Sequence, residues 1–227
     1  MSIFPSAGLH HAAILRAMPL SRFATILAAA AVIAVAAGVG GLLYKEAKKR
    51  SEGHALVSVV GDATAQLRDG LKSASPQALE RIESGLTMAQ RWSNPELVDA
   101  AEHYLVGARE IMRRRLEASR LTRKASASRA ALAAHMGAAG QRDSPWIRNA
   151  AELKKKVERD HFDLEVQLTA LAELLEDLPQ ANKRLSPHVK ASLLIEDAVR
   201  TDTREAVLEE AKRARAELAK TRALLPR

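Results

Sequence analysis

The 227-residue chain has no cysteine, and aromatic residues make up only 3% of it. Without thiols there is no disulfide framework, no thiolate metal site and no cysteine nucleophile. Beyond residue 50 the aromatic side chains are Trp92, Tyr104, Trp146 and Phe162. A core there must be built from Leu, Ala, Ile and Val, as in helices that touch through short side chains, and the Ala, Leu, Glu, Arg and Lys content carries the same helical signature. No long stretch alternates apolar and polar residues, so no sheet is expected. Neither a Walker loop nor G-x-G-x-x-G occurs, and H-E-x-x-H is missing. Asp and Glu are absent from the first 45 residues.

Charge is also absent from residues 23–44, FATILAAAAVIAVAAGVGGLLY. A helix of that length runs roughly 33 Å, against a hydrocarbon core of about 30 Å. Phe23 and Tyr44 stand at its ends, where aromatic rings favour the interface. Arg22 precedes it, and Lys45, Lys48, Lys49 and Arg50 follow. Three readings compete: a transmembrane anchor, a signal peptide cleaved at the A-x-A-like Ala34-Val35-Ala36, and a transit peptide free of acidic residues. The run is longer than the usual apolar core of a signal peptide, about 7–15 residues, and the four cations after it resist translocation. Both points favour the anchor, although a segment rich in Ala and Gly inserts with modest energy. Positive-inside counting leans toward a cytoplasmic C-terminal domain. Ala30, Ala34 and Gly38 have the small-xxx-small spacing of a helix-dimer face, a spacing that any Ala-rich segment also contains. The net charge of +8 is partly this flank, which suits anionic headgroups and does not by itself call for nucleic acid.

Downstream, Ser75-Pro76, Asn94-Pro95, Ser144-Pro145 and Ser186-Pro187 each place a capping residue before a proline suited to the first helical position. They predict helices over 76–92, 95–135, 145–178 and 187–199, the third of these ending at Pro179. An earlier helix is predicted from residue 45 or 54 to 72, with Gly53 as a candidate break. A last one runs from Asp202 to Leu225, opened by a capping box with Glu205. Segments 75–93 and 94–112 share their start and two apolar positions, which similar helix grammar explains as well as a repeat does.

In the fourth predicted helix Val157, His161, Leu164, Leu168, Leu171, Leu175 and Leu178 recur at spacings of four and three. This heptad seam cannot be buried alone. The helix before it is the expected partner, folded antiparallel about residue 141 through Gly137, Gly140, Arg142 and Asp143. Arg109, Arg113, Arg114, Arg115, Arg120, Arg123 and Lys124 would then face Asp163, Glu165, Glu173, Glu176 and Asp177. The last helix, with Val207, Leu208, Ala211, Ala214 and Leu218 on one side, is expected to return onto this hairpin.

The fold class expected is all-α: an N-terminal transmembrane helix followed by a helical bundle with an antiparallel coiled-coil hairpin. The divisions are a tail at 1–22, the span at 23–44, a basic juxtamembrane segment and helix at 45–74, and a helical domain at 75–227. That domain contains the hairpin 95–178 and C-terminal helices within 187–225.

Chemistry is thin. Glu158-x-x-His161 has the spacing of a di-iron ligand pair, but no second Glu-x-x-His completes it, and His161 reads as a polar seam residue that sets register. Asp99, Glu102 and His103 read as a solvated face. Lys154, Lys155 and Lys156 have acidic neighbours and no interleaved aromatics, so nucleic acid is not an expected partner. No catalytic residue, metal or cofactor is expected. The expected role is a single-pass scaffold in the membrane, taken as a bacterial inner membrane. It would touch lipids, other membrane-complex proteins through its helix faces, and a second copy of itself. The alternatives are an exported helical binding protein released by cleavage, and a basic helical binder of nucleic acid or anionic lipid.

Overall fold

The computed structural model describes residues 20–138 and 143–224, with the side chains of residue 35 and of residues 38 onward. Among the described residues there are five α-helices and no strand. They are α1 (Leu20–Ser73), α2 (Pro76–Ala89), α3 (Pro95–Gly137), α4 (Ser144–Leu185) and α5 (Asp197–Ala223), with a 3-10 turn at Ala191–Leu193 between the last two. The chain divides into two units, Met1–Ser51 and Glu52–Arg227.

In the first unit, Val35, Val39, Leu42, Leu43 and Tyr44 are exposed, as are Lys45, Lys48, Lys49 and Arg50. Arg50 lies 3.9 Å from Glu46 one turn away. Among the described residues no helix is long and apolar enough to cross a membrane. Residues 1–19, the side chains of 20–22, most side chains of the expected span 23–44, including Phe23, and the side chains of Ala34 and Ala36 in the cleavage motif lie outside the described residues. Gly53, expected as a break, sits inside α1. A helical glycine costs about 1 kcal/mol, which the apolar face that begins at Leu56 outweighs.

In the second unit the predicted caps act locally. Ser75 Oγ accepts from the Ala78 amide at 3.4 Å, and Asn94 Oδ1 from the Glu96 amide at 3.1 Å. The third start is shifted by one residue: Asp143, not Ser144, caps α4, accepting from the Trp146 amide at 3.0 Å. All three helices carry proline in the first turn, where no amide is needed.

The Glu52–Ser73 part of α1, together with α2 and α3, forms an up-down-up layer. Leu56, Val60, Ala63, Leu67 and Leu71 supply the buried stripe of α1. Close approach to α2 depends on Gly85, where a Cβ would come within 2.9 Å of Val59. The buried Tyr104 hydroxyl is satisfied by Thr64 Oγ1 at 2.6 Å. Glu52, itself buried, accepts from the amides of Ser93 and Asn94 at 2.8 and 3.0 Å, which ties the α2–α3 turn to α1.

A second up-down-up layer, α3, α4 and α5, shares α3 with the first. Arg114 Nη1 donates to Gln167 at 2.8 Å, Lys124 meets Asp160, and the His135 ring stacks on Trp146 at 4.9 Å, so the two long helices run antiparallel about a point near residue 141. The turn residues 139–142 lie outside the described residues. Helix α5 runs back along α4 and buries Val207, Ala211, Ala214 and Leu218, with Leu208 packed against the core.

Four expectations fail here for identifiable reasons. Pro179 does not end α4, which continues to Leu185. The missing Pro179 amide would leave the Leu175 carbonyl without its partner, and Arg200 Nη1 donates to that oxygen at 3.4 Å. No helix spans 187–199. Ser186 instead closes α4, its amide donating to Asn182 and its Oγ to the Lys183 carbonyl. The following turn buries Val189, Leu194 and Ile195, a spacing no single helix face provides. Helix α5 begins at Asp197 rather than Asp202, because the chain leaves the core directly after Ile195. The basic face of α3 is not matched mainly to the acids of α4: Arg113 pairs with Glu83 on α2, Arg115 with Glu210 on α5, and Arg120 with Glu117 on its own helix. On α4, Glu165 pairs with Arg215 and Glu176 with Arg204, both on α5.

Candidate functional site

The seven seam residues Val157, His161, Leu164, Leu168, Leu171, Leu175 and Leu178 are all buried in the second unit. His161 Nδ1 lies 2.9 Å from the Val157 carbonyl one turn back. A carbonyl only accepts, so that nitrogen carries the proton and Nε2 is the other site of the ring. Asp160 beside it is 1% exposed. Lys124 Nζ lies 2.8 Å from Asp160 Oδ1, yet neither carboxylate oxygen makes an aligned hydrogen bond. The polar seam is thus an ion pair and a histidine, held where α3, α4 and α5 meet.

His161 lines a cleft of about 540 Å³ bounded by the end of α1, the middle of α3 and α4, and α5. Its apolar lining is Ala125, Leu164, Leu168 and Ala214. Around this stand Lys72, Arg115, Arg123, Arg129 and Arg213, against two carboxylates, Glu210 and Glu217. Both carboxylates are engaged: Arg115 Nη1 lies 3.1 Å from Glu210, and Arg129 Nη1 lies 2.9 Å from Glu217. Arg115 also donates to the Leu71 carbonyl at 3.1 Å, which fixes its guanidinium against the end of α1. A hydrogen bond from Lys220 and the charges of Arg129 and Lys220, opposed by burial, hold Glu217 below the usual carboxylate range. Lys72, Arg123 and Arg213 are exposed and have no acidic group within ion-pair distance among the described residues.

Ala74, also in the lining, has φ of 46°, the left-handed region that alanine enters at a cost of about 1–2 kcal/mol. Its amide donates to the Gly70 carbonyl at 2.7 Å and closes α1. A Cβ at Gly70 would overlap the Met112 thioether, so α1 reaches α3 closely just before the cleft opens.

The membrane-interface residues take no part in this cleft. Tyr44, Lys45, Lys48, Lys49 and Arg50 are exposed on α1 in the first unit, and the side chains of Arg22 and Phe23 lie outside the described residues. Lys154 is engaged by Glu158 and by the Arg222 carbonyl, so it belongs to helix packing. Among the described residues no three His, Asp or Glu side chains gather as metal ligands.

No family model, curated protein or solved structure matches the chain. The cleft could not be found from spacing, because its charged residues come from three helices. The only local hint is that the middle of α3 carries Ser119, Thr122, Ser126 and small apolar residues where its first half carries large ones.

Proposed function

We propose that the chain is a single-pass membrane protein whose helical unit acts as a non-catalytic scaffold, docking other membrane-complex proteins through its helix faces. One observation carries the reading: helix α1, Leu20–Ser73, includes both the uncharged run 23–44 and the first core side chains of the bundle, from Leu56. A hydrophobic run of this length followed by four cations suits an anchor with a stop-transfer flank. The exposure of Lys45, Lys48 and Lys49, with Arg50 beside Glu46, suits a flank that meets anionic headgroups. The flank orients the bundle to the cytoplasmic side of a bacterial inner membrane by positive-inside counting.

The alternative is an exported helical binding protein, favoured by Ala34-Val35-Ala36 within an Ala-rich segment. Cell fractionation with alkaline extraction and N-terminal sequencing separates the two. The anchor reading expects an extraction-resistant protein that keeps its N-terminal segment. A soluble product that begins at Ala37 would overturn it.

A further inference from the structure

We propose that the basic cleft is a binding site for a multiply charged anion of the phosphate class, either a phosphorylated headgroup or a free phosphate compound. The site lies wholly within the unit Glu52–Arg227, so the assignment does not depend on how residues 23–44 meet a membrane.

The charge balance is the first reason. Five cations face two carboxylates, and those two already hold Arg115 and Arg129. The surplus is Lys72 from α1, Arg123 from α3 and Arg213 from α5. On a solvated convex face such residues would spread apart. Here three helices bring them to one concavity with apolar lining, where like charges repel one another and their positive fields add. A bound anion relieves that repulsion. A phosphomonoester carries about −1.5 to −2 at neutral pH, a better match to this surplus than a single carboxylate.

Shape is the second reason. The cleft's 540 Å³ falls in the range of about 300–1,000 Å³ typical of small-ligand sites. Arg115 is held before any ligand arrives by its bonds to Glu210 and the Leu71 carbonyl. Guanidinium forks match phosphate oxygens in pairs. Ser119 and Ser126 add hydroxyl donors to the wall. Ala74, at positive φ, closes α1 two residues after Lys72, and both line the cleft.

The test is calorimetric titration of the detergent-solubilised full chain with pyrophosphate and, separately, with a short-chain water-soluble phosphatidate. The comparison protein is the double variant Arg123→Gln, Arg213→Gln, whose two positions are exposed, so that helicity and thermal unfolding should be unchanged. Saturable binding at one site by either probe is expected, weakened about tenfold or more in the double variant and by added salt. Stronger binding of the phosphatidate identifies a headgroup as the source, and stronger binding of pyrophosphate identifies a soluble compound. Saturation by neither probe, or equal affinity in the well-folded double variant, would overturn the proposal. If the double variant misfolds, Lys72→Gln provides the same comparison at another exposed cation of the cleft.

Discussion

From Leu97 to Met112, α3 is enclosed by α1, α2 and α4 and buries Tyr104, Leu105, Ile111 and Met112. From Ala118 to Leu132 the same helix faces α4 and α5 and buries Ala118, Leu121, Ala125, Ser128 and Leu132. The first stretch closes a dense apolar core, since α4 answers it with Leu168, Leu171, Leu175 and Leu178. The second leaves room, and that room is lined by arginines, hydroxyls and His161. One helix therefore serves two purposes: large side chains hold the unit together at one end, and small ones open a charged cleft at the other. Stability should be concentrated in the first region and ligand chemistry in the second.

The sharpest way to break this contrast is Leu175→Ala. Leu175 is fully buried in the apolar region, and its truncation should cost about 2–5 kcal/mol in urea unfolding. A loss below about 1 kcal/mol would mean that the seam can collapse and is no rigid core. Next is Lys124→Ala, which strands the buried Asp160 carboxylate. Breaking a buried pair typically costs about 3–5 kcal/mol, but Lys124 is 41% exposed, so roughly 2 kcal/mol is expected here. Asp160→Asn added to that variant should recover much of the loss, and the absence of any recovery would refute the ion pair as the polar anchor of the seam.

The smallest effect is expected from Tyr104→Phe. It removes the bond to Thr64 and leaves that hydroxyl buried, for about 1–2 kcal/mol at neutral pH. Burial raises the Tyr104 phenol above its usual value, opposed by the Thr64 hydrogen bond and the Arg68 charge. The folded protein therefore holds this proton more tightly than the unfolded chain does. The resulting stability is complete below pH of about 10 and is lost as the pH rises through the higher folded value. An unfolding series from pH 8 to 11 should show a steeper alkaline loss in the parent than in Tyr104→Phe, and identical slopes would exclude Tyr104 as its source.

Much of the helical framework is legible in the chain because its causes are local. Asn94 before Pro95 starts α3 by capping its own second residue, and the Leu spacing from 157 to 178 describes the buried face of α4. Errors arise where a distant group overrides a local rule. Pro179 reads as a stop until Arg200, from another helix, takes up the orphaned carbonyl. Ser186-Pro187 reads as a start until the burial of Val189, Leu194 and Ile195 bends that segment against the core. The charge pattern of α3 misleads in the same way. Long arginine side chains reach any of several helices, and only the packing decides that Glu83 and Glu210 are the acids they meet.

The sequence by itself determined that the chain is helical, that its core is aliphatic, that thiol chemistry is impossible and that residues 23–44 carry no charge. Each of these depends on composition or on neighbours a few residues apart. The tertiary structure alone decided the shared role of α3, the burial of Asp160 beside His161, and the gathering of Lys72, Arg123 and Arg213 around one cleft. These depend on side chains brought together from separate helices, and no local spacing encodes which of them will meet.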